Sequence, residues 1–308
     1  MSNASDKDGA DLNRSAALAS IAMASVLVAI KGYGAWATGS TAMLGSLADT
    51  ALDLVASLAT LLGVWVAGQP ADDNHRFGHG KAEALSALFQ VVLIGVSAIG
   101  LGIHAVQQFF TVEHTAAATD GIVISAIAIV GTLALLAWQR HVIARTGSLA
   151  ISTDHLHYQS DLILNIAVIV ALALDHYVGF THADPVFGLG IALWLGWSAW
   201  GASQQAIEQL MDHEWPEEKK SRFIETLGRH PELRGVHDLR TRTSGNRDFV
   251  QFHVWVDGAM TVTHAHKVMD EIEAKLRQEF PDVEILIHPD PEGHVDEDGV
   301  MAEDILKG

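Results

Sequence analysis

The sequence contains no cysteine, and only 18% of its residues are charged, below the ~25% of an ordinary soluble protein. The absence of cysteine excludes a disulfide scaffold, an iron–sulfur protein and any thiolate metal site, so a bound metal would have nitrogen and oxygen ligands. Basic residues are also scarce, with 19 Lys and Arg against 37 Asp and Glu and a net charge of −18. This acidic balance excludes nucleic acid as a natural partner, because phosphate binding needs clustered Lys and Arg.

The few charges are concentrated in the last third of the chain. Residues 1–211 hold 7 Lys and Arg and 15 Asp and Glu, whereas residues 212–308 hold 12 and 22. This contrast predicts an all-α polytopic membrane domain followed by a small water-exposed domain, with no cleaved signal peptide. The expected divisions are an N-terminal segment at 1–14, the membrane domain at 15–211, the water-exposed domain at 212–290 and an acidic, disordered tail at 291–308.

Six apolar runs are long enough to cross a ~30 Å hydrocarbon core. Lys and Arg occur in the second and fourth connections between these runs and are absent from the other three, so the positive-inside rule places both termini in the cytoplasm. Lys31 is a cation inside the first run. The six predicted spans are 15–37, 42–68, 84–110, 121–138, 148–174 and 185–211.

The water-exposed third is predicted to be an α+β domain. A helix should begin at Pro216, and two strands at 236–243 and 249–256 flank a short turn. A second helix, capped by Thr261 or Thr263, and a last strand at 284–288 complete the order α-β-β-α-β, a small two-layer domain of ferredoxin-like or metallochaperone-like type.

Two pairs of ionisable residues lie inside predicted spans. Asp49 and Asp53 are four residues apart in the second span, and His157 and Asp161 have the same spacing in the fifth, so each pair shares a helix face. With ~1.5 Å of rise per residue, antiparallel helices bring Asp53 level with His157 and Asp49 level with Asp161. Three carboxylates and one imidazole make a plausible tetrahedral site for Zn²⁺ or a similar divalent ion.

Two other interpretations of these four residues remain open. A single intramembrane Asp often serves only as a hydrogen-bonding residue between helices, although two pairs at matching depth weaken that interpretation. Proton relays use the same residue types, so a purely proton-linked site is the second alternative.

Two longer motifs carry a resemblance to a known family. Residues 69–81 read Gln-Pro-Ala-Asp-Asp-Asn-His-Arg-Phe-Gly-His-Gly-Lys, and residues 156–161 read Leu-His-Tyr-Gln-Ser-Asp. Together with six spans and an α-β-β-α-β domain, these motifs resemble the cation diffusion facilitators, over about residues 14–290.

The resemblance implies a homodimeric antiporter of a bacterial inner membrane, which exports divalent cations, Zn²⁺ above all, against an inward flow of protons. It places the transport site at Asp49, Asp53, His157 and Asp161, a loop site at Asp72, His75 and His79, and a binuclear cytoplasmic site at His237, His253, His266, His288 and Asp290. It also implies a charged interlock between protomers through Lys81 and Asp212. From the residues alone, the loop histidines could be incidental, and Lys81 and Asp212 could be a snorkelling lysine and a solvated aspartate.

The expected function is therefore metal export rather than catalysis. Cd²⁺ and Fe²⁺ are alternatives to Zn²⁺, although imidazole at position 157 favours Zn²⁺ or Cd²⁺ over Mn²⁺. A membrane metalloprotease would need a motif such as His-Glu-x2-His, which is absent. A membrane-anchored metal sensor without transport is the remaining alternative, but sensing would not need ligands inside the spans.

Overall fold

The computed structural model describes residues 2–38, 41–110, 119–180, 182–230, 233, 235–245, 247–281 and 283–293. The chain forms two compact units, one of residues 5–207 and another that begins at Glu208. Most of the predicted acidic tail, from residue 294 onward, lies outside the described residues.

The first unit is helical. Its helices begin and end within a few residues of the predicted spans, except that α1 begins near the chain start and α4 continues past residue 138. Their bounds are Ser2–Thr38 for α1, Thr41–Ala67 for α2, Ala82–Phe110 for α3, Thr119–Thr146 for α4, Leu149–Val178 for α5 and Ala183–Leu210 for α6.

Within the residues that the structure describes, four helical segments are long and apolar enough to cross a membrane: 8–36, 47–67, 82–110 and 183–210. Large apolar side chains such as Trp36, Leu193 and Trp197 are exposed on the helices, as hydrocarbon surroundings allow. The prediction of a helical membrane domain is confirmed at this level. The count of six spans stays a prediction, because α5 carries ionisable residues in its first half and α4 is not among the four segments.

The second unit has the predicted order α-β-β-α-β, which is confirmed. Its elements are α7 at Glu217–Gly228, β1 at Gly235–Ser244, β2 at Arg247–Val256, α8 at Val262–Glu279 and β3 at Val283–Pro291. The sheet order is β1-β2-β3, with β1 antiparallel and β3 parallel to the central strand. Helix α8 is the crossover that a parallel β2–β3 pair requires, and the side chain of Thr261 caps it by accepting from the backbone N–H of His264.

One face of β2 supplies much of the core of this unit. Val250, Phe252, Val254 and Val256 alternate along the strand and are buried, as the period of two predicts. The ring of Phe223 from α7 is fully buried and packs edge-on against Phe252, with centroids 5.7 Å apart. Helices therefore cover one face of the sheet, and its other face is available for polar side chains.

We predict that Phe223→Ala destabilises the second unit by about 3–5 kcal/mol, because a large cavity would remain in a packed core. Hydrogen exchange of the β2 amides in the full-length protein measures the effect. Leu286→Ala is the control, since Leu286 on β3 is 61% exposed. Equal protection in both variants would show that Phe223 does not hold this core together.

Candidate metal centres

The first cluster lies in the helical unit and joins α2 to α5. One ligand atom each from Asp53, His157 and Asp161 lies within 4.8 Å of the others. His157 Nε2 is 3.1 Å from Asp53 Oδ1 and 4.0 Å from Asp161 Oδ2. The contact between Asp53 and His157 follows from the antiparallel helices that the sequence predicts at equal depth. Two carboxylates and an imidazole at these distances can converge on one divalent cation.

Asp49, the fourth predicted ligand, is not part of this three-residue group. It lies one turn before Asp53 on α2 and lines the same cavity of about 610 Å³, together with His157 and Asp161. The structure thus brings three predicted ligands together and places the fourth on the wall of the cavity that they share.

Helix α5, which carries two of the predicted ligands, is fixed at its N-terminus by Glu83 of α3. The buried carboxylate of Glu83 accepts from Ser148 Oγ at 2.6 Å and from Asn13 Nδ2 at 3.2 Å. It also accepts from the backbone N–H groups of Leu149 and Ala150, in the first turn of α5. A carboxylate there satisfies N–H groups that have no partner within the helix and complements the helix dipole.

A second buried carboxylate holds α5 one turn before His157. Asp154 is fully buried and accepts hydrogen bonds from Ser20 Oγ at 2.5 Å and Gln139 Nε2 at 2.7 Å on one oxygen. Its other oxygen accepts from Gln90 Nε2 at 3.0 Å and Thr60 Oγ1 at 3.4 Å. The four donors come from α1, α4, α3 and α2, so one side chain links five helices.

Tyr158, next to the ligand His157, adds to the same anchor. Its hydroxyl donates to the backbone carbonyl of Ser20 at 3.0 Å and lies 2.9 Å from Ser57 Oγ. The position of His157 is therefore set by contacts on both sides of it along α5.

The second cluster lies in the loop between α2 and α3. Asp72 Oδ1 accepts from the backbone N–H of His75 at 2.7 Å and lies 3.1 Å from His75 Nδ1, while Asp72 Oδ2 lies 3.4 Å from His79 Nε2. The hydrogen bond from the His75 backbone lowers the pKa of the exposed Asp72, so its carboxylate stays ionised at neutral pH. All three predicted loop residues are thus brought together, with ligand atoms within 4.8 Å.

The third cluster is built by strand register in the second unit. His237 pairs with His253 across the antiparallel β1–β2 ladder, and His253 pairs with His288 across the parallel β2–β3 ladder. Directly opposed residues of a sheet share a face, so the three imidazoles form a row on the polar face. The ring centroids of neighbours are 5.2 Å and 4.6 Å apart.

Asp290 on β3 connects this row. Its Oδ2 lies 2.9 Å from His253 Nδ1 and 3.3 Å from His237 Nε2, and its Oδ1 lies 3.3 Å from His288 Nε2. Each carboxylate oxygen thus faces a different part of the row. This donor set of nitrogen and oxygen atoms fits Zn²⁺ or a related divalent ion, and a carboxylate with both oxygens engaged can bridge two ions.

The most buried imidazole of the row, that of His237, is held in its unprotonated form by burial. His237 is buried, and desolvation lowers its pKa, so the ring is neutral at pH 7 and no proton need leave before a metal binds. Its other ring nitrogen, Nδ1, is buried without a hydrogen-bond partner among the described residues.

The positions of two further residues bear on this cluster. His266, on α8, pairs with Asp270 at 3.1 Å and is not brought to the row of histidines within the chain described. Asp238, which the sequence did not single out, has a carboxylate oxygen 3.8 Å from His253 Nε2. A bulge in β1 after His237 and a positive φ of 49° at Asp238 turn this side chain toward the row.

The predicted interlock residues lie at the boundaries of elements. Lys81 directly precedes α3, and Asp212, with a positive φ of 57°, lies in the turn after α6. Asp212 Oδ1 is 3.6 Å from Arg242 on β1, so its carboxylate has an ion-pair partner within the second unit. An interlock between protomers stays a prediction.

Comparison with protein families decides the identity of the chain. Residues 17–211 match the cation efflux transmembrane domain, and residues 215–292 match the cytoplasmic domain of cation efflux proteins. The chain belongs to the cation efflux family, the cation diffusion facilitators. The resemblance seen in its motifs is therefore confirmed, and the apolar helices are those of a multi-pass membrane protein.

Several relatives match nearly the whole chain. The cation-efflux pump FieF of Klebsiella pneumoniae is 42% identical over 276 residues, which are 90% of this chain and 92% of that protein. FieF of Serratia proteamaculans is 40% identical over 282 residues, 92% and 94% of the two chains. These relatives agree with the resemblance of residues 69–81 and 156–161 to the bacterial zinc/iron efflux pump YiiP.

Solved structures of this family match a smaller part of the chain. The zinc form of CzrB is 39% identical to this chain, and the match includes 28% of this chain and 99% of CzrB in that structure, with a TM-score of 0.26. The metal-bound C-terminal domain of the CzcD transporter from Thermotoga maritima is 27% identical and covers 27% and 100%, with a TM-score of 0.25.

We predict that Asp154→Ala lowers the melting temperature of the full-length cation efflux protein by roughly 8 °C or more, because four donors lose their acceptor. The substitution leaves buried donors without an acceptor, at about 1–3 kcal/mol each, and a domain of this size loses roughly 2–4 °C per kcal/mol. Thermal unfolding in detergent measures the change. Asp73→Ala is the matched control, because Asp73 is an exposed loop carboxylate. If both variants melt like the parent, the five-helix link does not stabilise the fold.

Proposed function

We propose that this member of the cation efflux family exports divalent metal cations from the cytoplasm, in exchange for protons, across the inner membrane of a bacterium. Zn²⁺ is the proposed physiological substrate, with Cd²⁺ and Fe²⁺ as alternatives. The protein would act as a homodimer of chains with six spans each and both termini in the cytoplasm. It is a transporter and not an enzyme in this proposal.

The observation that carries the proposal is the convergence of Asp53, His157 and Asp161 on one point of the helical unit. Charged groups in membrane helices cost about 2.5–3.5 kcal/mol each even on the lenient insertion scale, so they mark a function. The cavity that they line, with Asp49, is large enough for a hydrated ion to enter. A sensor without transport would not require ligands at this position.

The donor chemistry supports exchange of metal for protons. His157 Nε2 and the carboxylate oxygens of Asp53 and Asp161 bind either a proton or a metal with the same lone pairs. A cation arriving from the cytoplasm would displace protons, and protons arriving from the other side would displace the cation. The absence of thiolates keeps the ion exchangeable, while the imidazole favours Zn²⁺ or Cd²⁺ over Mn²⁺.

The cytoplasmic cluster has a separate proposed role. Metal held by His237, His253, His288 and Asp290 would stabilise the second unit and the dimer when cytoplasmic metal is abundant, with His266 as a further ligand. The loop cluster of Asp72, His75 and His79 is proposed as a second binding site for the same ions. Lys81 and Asp212 are proposed to contact each other between protomers.

The decisive test is metal flux into sealed proteoliposomes, with a panel of divalent cations and a fixed pH gradient. We expect uptake of Zn²⁺ that stops when the gradient is collapsed. Binding of metal without flux would favour the sensor. Flux that does not depend on the pH gradient would show that transport is not coupled to protons.

We predict that Asp53→Ala and Asp161→Ala each lower Zn²⁺ flux about 100-fold or more. Loss of groups that merely support metal ligands already costs about 10–100-fold, and these carboxylates are the proposed ligands themselves. Asp184→Ala is the matched control, because Asp184 lies at the start of α6 and contacts Gln108. Parental flux in a purified Asp53→Ala protein would refute the transport site.

We predict that replacing His237 and Asp290 together with alanine reduces the rise in melting temperature that Zn²⁺ produces, because the contribution of the cytoplasmic cluster is lost, while flux falls only partly. When the free Zn²⁺ concentration is 100 times the dissociation constant of a site, binding at that site stabilises the folded protein by about 2.7 kcal/mol. The double substitution would remove this stabilisation for the cytoplasmic cluster. The transport residues in the helices are unchanged by the double substitution. His264→Ala, which removes an exposed histidine of α8, controls for loss of an imidazole.

Two measurements on one preparation separate the roles: the Zn²⁺-dependent melting temperature and the Zn²⁺ flux. If flux is lost as fully as in Asp53→Ala while melting is unchanged, the cytoplasmic cluster lies on the transport path and the proposed division is wrong.

A further inference from the structure

The cavity lined by Asp49, Asp53, His157 and Asp161, called the transport cavity below, also has a positively charged side chain on its wall. Its wall includes Lys31 of α1, the lysine that the sequence places inside the first predicted span. The same wall carries the carboxylates of Asp49, Asp53 and Asp161 and the imidazole of His157. None of the three proposed metal centres uses this lysine.

Lys31 is held at a defined place on this wall. Its ammonium donates to Thr50 Oγ1 at 2.7 Å. Thr50 is buried on α2, directly after Asp49 and one turn before Asp53. The hydrogen bond therefore fixes the ammonium beside the stretch of α2 that bears both carboxylates, instead of letting it extend toward a water-exposed surface.

The charges on the wall have a simple sum. In the state that binds a metal, Asp49, Asp53 and Asp161 contribute −3 when ionised, the imidazole of His157 contributes nothing because a metal ligand must be unprotonated, and Lys31 contributes +1. The total is −2, which one divalent cation neutralises. Without the lysine the total would be −3, and a bound divalent cation would leave an uncompensated negative charge in a region of low dielectric.

We propose that Lys31 sets the ionic charge that the transport cavity accepts, and so is a specificity-determining residue for divalent cations. The proposal rests on the proposed function, since it concerns the same cavity. Lys31 acts through the electrostatic potential and not as a ligand, because an ammonium has donors and no lone pair. Its positive charge weakens the binding of a divalent ion by the three carboxylates. The weaker binding allows the ion to dissociate.

The experiment compares Lys31→Gln with Lys31→Arg in proteoliposomes. Glutamine keeps a hydrogen-bond donor and loses the charge, whereas arginine keeps both. For Lys31→Gln we expect the KM for Zn²⁺ to fall about tenfold and kcat to fall with it, because the ion binds more tightly and leaves more slowly. Tb³⁺, a trivalent probe, should inhibit this variant at a concentration at least tenfold lower than it needs for the parent. Lys31→Arg should resemble the parent in all three values.

The alternative role for Lys31 is a structural tether between α1 and α2. Thr50→Val tests it, because valine removes the hydrogen bond and leaves the charge in place. Because Thr50→Val keeps the ammonium in the cavity but holds it less firmly, the charge proposal expects changes in KM and Tb³⁺ inhibition well under the roughly tenfold changes of Lys31→Gln, and this variant remains informative if Lys31→Gln does not fold. The proposal is overturned if Thr50→Val changes these values as glutamine does, or if Lys31→Gln and Lys31→Arg behave alike.

Asp53→Ala distinguishes this inference from the proposed function on which it rests. If Asp53→Ala transports normally, the cavity is not the transport site and both fail. If Asp53→Ala is inactive while Lys31→Gln keeps parental KM and Tb³⁺ inhibition, the transport site stands and only the role of Lys31 is refuted.

Discussion

The helical unit depends on a carboxylate that binds no metal in any proposed centre. Asp154 is fully buried and accepts one hydrogen bond from each of four other helices. In a hydrocarbon environment the helices gain little from the hydrophobic effect between them, so polar contacts and close packing must specify their arrangement. Because Asp154 lies one turn before His157, the interaction that links the five helices also positions this proposed ligand. In the proposed transport cycle, an ion could then be exchanged while α5 keeps its position.

Two physical devices build the proposed centres. In the helices, a spacing of four residues brings His157 and Asp161 to one face, and an antiparallel neighbour supplies Asp53 at the same level. In the sheet, ladder register places His237, His253 and His288 in a row, and Asp290 joins them. A register slip of one residue would send a histidine to the apolar face under the helices. The row is therefore fixed by the same pairing that forms the core.

Many of the secondary-structure elements and candidate ligand pairs could be predicted from the sequence, because they depend on residue spacing within one helix or strand. Spacing within one helix gave the pairs of Asp49 with Asp53 and of His157 with Asp161, and alternation along β2 gave its buried face. The partners of Asp154 could not be predicted, since Ser20, Gln90 and Gln139 are scattered polar residues until five helices pack.

Two contacts in the second unit also depend on geometry that a sequence pattern does not contain. The contact of His253 with Asp238 depends on a bulge and a positive φ, which a strand pattern does not contain. His266 on α8 contacts Asp270, so its assignment to the binuclear site stays a prediction. A helix that crosses over the apolar face of the sheet does not place that side chain on the polar face within one chain.

The carboxylates of the two proposed centres differ in their exposure to solvent. The side chains of Asp53 and Asp161 in the helical cluster are 23% and 35% exposed, whereas that of Asp290 in the cytoplasmic cluster is 6% exposed. A ligand in contact with water loses less when its metal departs, because solvent replaces the bond that is broken, whereas a buried carboxylate without its metal stays desolvated. The cavity therefore suits a cargo that must leave on every cycle. The polar face of the sheet, with its most buried imidazole neutral, suits an ion that stays bound while many others cross.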